Sequence, residues 1–105
     1  MITCVVDYVI NPKEIDAFEA FGRRWIELVE HYGGQHHGYF LPSEGSSDRA
    51  LALFSFPSMA DYEQYRTRFG HDPDFIAADR IRDESGCVLR YDRSFMRPLS
   101  RPGEE

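Results

Sequence analysis

Apolar and polar positions along Ile2 to Ile10 leave both sides of the segment oily. Ile2, Cys4, Val6, Tyr8 and Ile10 fall on one side, and Thr3, Val5, Asp7 and Val9 on the other. A period of two predicts a strand. Strands of a small open sheet usually have one apolar and one polar face. Two apolar faces predict cover by the protein's own helices on one side and by a second copy of the chain on the other. Asn11-Pro12 marks a helix start, since Asn accepts from early backbone N–H groups and Pro suits the first helical position. Ile15, Phe18, Gly22, Trp25, Val29 and Tyr32 recur at spacings of three and four, widened by Phe21, Ile26 and Leu28, and predict a helix to about Tyr32. Gly33-Gly34 stops it. Gly22 costs helix stability relative to alanine, which predicts a close approach to the sheet.

Gln35 to Leu41 and Ala50 to Phe56 read as the second and third strands, joined through the turn formers of Pro42 to Asp48. Ser58, with Asp61 three residues on, opens a helix over Met59 to Phe69 that puts Met59, Tyr62, Arg66 and Phe69 on one side. Gly70 breaks it, and Asp72-Pro73 opens another helix to about Glu84 with Phe75, Ala78 and Ile81 inward. Ser85-Gly86 turns into the last strand, Cys87 to Arg97. There Leu89, Tyr91, Arg93 and Phe95 share one face, and Val88, Arg90, Asp92, Ser94 and Met96 the other. This order predicts an α+β fold: a ferredoxin-like βαββαβ antiparallel sheet of order 4-1-3-2, with right-handed crossovers and both helical layers on one face. Two such sheets packed face to face form a dimeric α+β barrel.

A chain of 105 residues supports one core. The prolines, glycine and charges after Met96 set a domain of residues 1–99 against a flexible tail, 100–105. Eight Phe and six Tyr supply more aromatic surface than one small core needs, so part of it is expected between copies. A net charge of −6 without a basic stripe excludes nucleic acid as partner. No apolar run approaches the roughly 18–20 residues of a membrane span, and no basic-then-apolar leader opens the chain, so a cytoplasmic location is expected. Cys4 and Cys87 fall at opposite ends of an antiparallel strand pair. That is beyond the roughly 4.4–6.8 Å Cα separation of a disulfide, and free thiols follow.

Three segments resemble small bacterial members of the NIPSNAP family: Gly38-Tyr39-Phe40-Leu41-Pro42-Ser43-Glu44-Gly45, Ala60-Asp61-Tyr62-Glu63-Gln64-Tyr65-Arg66, and Leu89-Arg90-Tyr91-Asp92-Arg93-Ser94-Phe95-Met96-Arg97. The likeness runs from Met1 to about Leu99. It implies the dimeric α+β-barrel superfamily and a homodimer formed through the sheet face. Related barrels include cofactor-independent monooxygenases, small-lactone isomerases and haem-degrading enzymes, but none of their catalytic motifs can be placed on these residues. The resemblance therefore implies fold and dimerisation and no particular activity.

Candidate chemistry rests on ionisable side chains in apolar strands. Asp7 is an acid in a strand interior, where burial and nearby arginine pull its pKa in opposite directions. It is a candidate base or ligand-orienting group, the alternative being a structural Asp–Arg pair with Arg90 or Arg93. His36 and His37 point to opposite faces and cannot share a metal. One is expected to face the helices or edge and the other the barrel lumen; His37, on the face of Tyr39, is favoured for the lumen and is the candidate proton shuttle, the alternative being a hydrogen-bonded structural histidine. Tyr91 is the candidate phenolic donor and Arg93 the candidate anion partner. Trp25, Tyr62 and Tyr65 read as core or interface residues. No His/Cys/Asp/Glu spacing matches a metal site, and no phosphate loop or nucleophile elbow is present, so neither metal nor cofactor is expected. The function these residues suggest is binding or cofactor-free transformation of a small organic molecule, by proton transfer or oxygenation, in a cavity between sheet and helices or between the two sheets. The alternative is a non-catalytic interaction module.

Overall fold

The computed structural model describes residues 1–100 together with 102 and 103, so the expected tail at 100–105 lies partly outside the described residues. Strand β1 (Ile2–Ile10) leads through a 3-10 turn, Pro12–Glu14, into helix α1 (Ile15–His31). Strands β2 (Gln35–Phe40) and β3 (Arg49–Phe56) follow, then α2 (Met59–Arg66), α3 (Pro73–Ser85) and β4 (Val88–Met96). The sheet is antiparallel with order β2-β3-β1-β4, which is the expected 4-1-3-2 arrangement of an α+β, ferredoxin-like fold.

The helix starts follow local chemistry. Asn11 Oδ1 accepts from the Lys13 N–H, Ser58 Oγ from Asp61 N–H, and Asp72 Oδ1 from Asp74 N–H. Gly33 and Gly86 take positive φ values at the ends of α1 and α3. Gly34 has a steric reason of its own. A Cβ there would sit 2.7 Å from Val29 Cγ1 and 2.8 Å from Phe56 Cζ, so only a bare backbone passes between these two buried side chains. A Cβ on Gly22 would lie 3.2 Å from the Tyr39 ring, the close approach expected from its place in the helical stripe.

Burial alternates strictly along β1. Cys4, Val6, Tyr8 and Ile10 are buried under the helices, whereas Thr3, Val5, Asp7 and Val9 are only partly covered. The core joins the helix-side strand residues to Phe18, Phe21 and Trp25 of α1, Tyr62 and Tyr65 of α2, and Phe75 and Ala78 of α3. Met59 is exposed, because Tyr65 rather than Met59 accompanies Tyr62 into the core. Cys4 and Cys87 are both buried free thiols.

Two bulges alter what strict alternation predicts. In β2 the register shifts between His36 and Gly38, where Gly38 takes φ +111. In β4 it shifts opposite Val9 and Ile10, leaving Leu89 without a cross-strand partner and largely exposed.

Candidate functional site

A cavity of about 110 Å³ lies between the sheet and its helices. Its floor is built by cross-strand pairs that share the helix-side face: Val6 beside Arg93, and Tyr8 beside Tyr91. Phe21 and Trp25 of α1, with Tyr62 and Tyr65 of α2, supply aromatic walls. Arg66, at the end of α2, and Asp79 and Arg82, from α3, bring charge to the same space. Spacing explains the last two. Phe75, Ala78, Asp79 and Arg82 form an i, i+3, i+4, i+7 stripe, so a helix that buries Phe75 also carries Asp79 and Arg82 inward. The start of α3 is tied to the end of α1 where Tyr32 donates to Asp72 Oδ2 at 2.5 Å, with the Arg68 guanidinium 5.0 Å above the Tyr32 ring.

Three lining residues, Trp25 (Nε1), Tyr62 (Oη) and Asp79 (Oδ1), each hold a buried polar atom with no hydrogen-bond partner among the described residues. A buried polar atom left unmatched costs about 1–3 kcal/mol, so their grouping around one cavity is chemically informative. Burial raises the pKa of Asp79, opposed by Arg82, whose Nη1 lies 3.4 Å away in a contact not aligned as a hydrogen bond. Burial also pushes the Tyr8 phenol up to about 12 and the Cys4 thiol up to about 11. Both are therefore neutral near pH 7.

The four residues singled out from sequence are not brought together. Tyr91 and Arg93 line the cavity, with the Arg93 guanidinium 5.6 Å from the Tyr91 ring centre. Asp7 and His37 stand on the opposite, open face of the sheet. Asp7 pairs in register with Asp92 and Leu51, and its ion-pair partner is Arg49 at 3.8 Å rather than Arg90 or Arg93. It borders a shallow depression that Glu44 of the hairpin tip also lines. His37 Nε2 meets Ser55 Oγ at 2.8 Å, and Ser55 Oγ meets Thr3 Oγ1 at 2.7 Å. The β2 bulge separates His37 from the face of Tyr39 and leaves it on the open face of the sheet. His36, not His37, shares a face with Tyr39, stacking on its ring at 5.2 Å and on Phe54 at 5.5 Å.

His36 also carries a pH prediction. Burial lowers its pKa to about 4, with Glu30 acting against the shift, so between about pH 6.5 and 4 the unfolded chain binds a proton that the folded protein refuses. Stability contributed by neutral His36 is therefore complete above the ordinary histidine value and declines as pH falls towards 4. Urea midpoints measured between pH 7 and 4 are expected to fall more steeply in the wild type than in His36→Phe. Parallel profiles would exclude His36 as the cause.

A family model described as NIPSNAP matches residues 5–101. No curated protein matches. Among solved structures, a NIPSNAP-family protein of unknown function from Agrobacterium tumefaciens superposes with a TM-score of 0.79 at 19% identity, covering 100% of this chain and 94% of its own. A NIPSNAP-like domain protein from Burkholderia xenovorans gives 0.76 at 19% identity over 94% of this chain and 85% of that one. A candidate antibiotic biosynthesis monooxygenase from Nitrosomonas europaea gives 0.72 at 10% identity, over 95% of this chain and 100% of the other. These likenesses establish the shared fold. The family model, matching residues 5–101, shows that this chain belongs to the NIPSNAP family.

Proposed function

We propose that the cavity between sheet and helices binds a small organic molecule, and that Asp79 moves a proton on it without a cofactor. The observation that carries this reading is the grouping of the unmatched Trp25 Nε1 and Tyr62 Oη with the Asp79 carboxylate, ion-paired to Arg82 but not hydrogen-bonded, around one aromatic-walled space. In the proposed step the Asp79 carboxylate takes a proton from an acidic C–H or O–H of the ligand and returns it at a second position. Atoms and electrons balance as an isomerisation, with no oxidant consumed. Tyr91 Oη donates a hydrogen bond to the oxygen on which charge develops, and Arg93 holds an anionic group of the ligand. Oxygenation, suggested by the name of the Nitrosomonas neighbour, is the second reading. It would use the same deprotonation with dioxygen as co-reactant.

The proposal includes a homodimer formed through the open sheet face. No helix covers that side, and Val5, Val9, Leu51 and Leu53 emerge from its two central strands, with Phe40 53% exposed beside them. Asp7, Arg49, Arg90 and Asp92 on the same face offer paired charges to a two-fold-related copy. No helix among the described residues is long and apolar enough to cross a membrane, which is compatible with the cytoplasmic location expected from sequence.

A small-molecule thermal-shift screen tests the function. Hits are expected to lose their stabilisation in Val6→Phe, which drives a ring into the cavity. In Asp79→Asn they should still bind but no longer exchange their acidic C–H with heavy water. Hits indifferent to both changes would place binding elsewhere. A screen with no hits on a well-folded protein would favour the interaction-module reading.

A further inference from the structure

Three guanidinium groups and a single carboxylate meet at this cavity, in a protein whose overall charge is −6. They are not equivalent. Arg82 is already engaged, with Nε 3.0 Å from Asp83 Oδ1 and Nη1 3.4 Å from Asp79 Oδ1. Arg66 and Arg93 have no carboxylate within 4 Å among the described residues. Each instead lies 5.6 Å from the centre of an aromatic ring, Phe69 for Arg66 and Tyr91 for Arg93. Both are near enough to the Cys4 thiol to pull its pKa down against burial, and Arg93 does the same at Tyr8 and Tyr65. Their positive field therefore converges on the interior side of the sheet, although a net-negative surface would repel an anion at long range. Arginine cations held at an aromatic cavity without counter-charge match a carboxylate geometrically, because the planar fork takes two oxygens at once.

We infer that the ligand is a small organic anion, a carboxylate with a flat unsaturated or aromatic body, its oxygens seated on Arg93 and Arg66 and its body between the aromatic walls. This deepens the proposed function and rests on the cavity being a binding site. At about 110 Å³ the space is smaller than the roughly 150 Å³ that holds benzene in a dry engineered cavity, so it encloses only a small flat body and leaves the carboxylate towards the rim. Arg66, exposed where it leaves α2, lets the carboxylate end reach towards the rim. Inorganic anions would make no use of the aromatic surface that Tyr8, Phe21, Trp25 and Tyr62 turn to the cavity.

The test uses matched charged and neutral probes: benzoate against benzamide, and the smaller crotonate against crotonamide, titrated by calorimetry and thermal shift into the full chain. At least one anion is expected to bind tenfold or more tightly than its amide. Arg93→Gln and Arg66→Gln should each weaken it by about 10–100-fold, the loss expected for hydrogen bonds to a charged group. Arg93→Lys, which keeps charge but not the fork, should fall between. Unchanged urea midpoints establish that the variants fold, and Arg66→Gln at the exposed rim carries the test if Arg93→Gln does not fold. Equal affinity for anion and amide would overturn the inference while leaving the cavity as a binding site. Anion binding that survives both glutamine substitutions would overturn it as well. Binding of no anion up to about 10 mM, the millimolar limit of useful affinity, would also overturn it; the wider screen then decides separately whether the cavity binds anything.

Discussion

Phe75→Ala is expected to lower the free energy of unfolding by about 3–5 kcal/mol, the range for removing a fully buried phenylalanine ring. Phe75 is wholly buried at the centre of the helical layer, with ring centres of Trp25 at 5.2 Å, Phe69 at 5.3 Å, Tyr32 at 5.5 Å and Tyr65 at 5.6 Å. These neighbours come from α1, α2 and the segment leading to α3, so the ring is a shared contact of all three. Collapse around the hole is restricted because those rings also pack on one another, as Trp25 does on Phe69 at 5.1 Å. A domain of this size has a total stability of about 5–15 kcal/mol, and each kcal/mol corresponds to about 4–8 °C in Tm. Denaturant unfolding at fixed protein concentration measures the loss. A change below about 1 kcal/mol would contradict the tight packing around Phe75.

Leu53→Lys is expected to convert the proposed dimer into a folded monomer. Leu53 lies on the open face of β3, opposite Val5 of β1 and Gly38 of β2, so its side chain stands near the middle of the uncovered sheet. In a two-fold interface one substitution acts twice. Burying an ammonium without a partner costs several kcal/mol even after relaxation, so two copies should shift the dissociation constant by several orders of magnitude. Sedimentation velocity at micromolar concentration is the measurement, with far-UV circular dichroism to verify that the sheet persists. A variant that still dimerises like the wild type would move the interface to another surface. A wild type that is already monomeric would remove the dimer from the proposal.

The fold was legible because each element announced itself locally. The two apolar sides of β1, the stripe of α1 and the Asn11-Pro12 and Asp72-Pro73 starts all lie within single elements, and right-handed crossovers leave few ways to join them. Two of the four residues chosen from sequence line the proposed cavity. Tyr91 and Arg93 share a face with apolar neighbours, and that face is the cavity floor. Asp7 lies on the odd-numbered side of β1, where alternation put it, and that side faces away from the helices. His37 does not share the face of Tyr39 because alternation fails at a bulge; Gly38, within a strand and with positive φ, was the available signal. Asp79 and Arg82 were missed although both occupy the inward stripe of Phe75 and Ala78. Charged residues at core-facing helical positions are the mark that sequence reading can use.

Trp25 is the single tryptophan of the chain, and it stands in the cavity wall. Tyr65, Phe69 and Phe75 pack against it, their ring centres 5.1–6.3 Å from its own. Every photon emitted by indole in this protein therefore originates at one known place. Tyrosines absorbing near 280 nm lie close enough to pass excitation to it, and whatever enters the neighbouring space changes the polarity and quenching that the indole experiences. The molecule thus carries its own optical gauge of occupancy, readable without a dye or an engineered label.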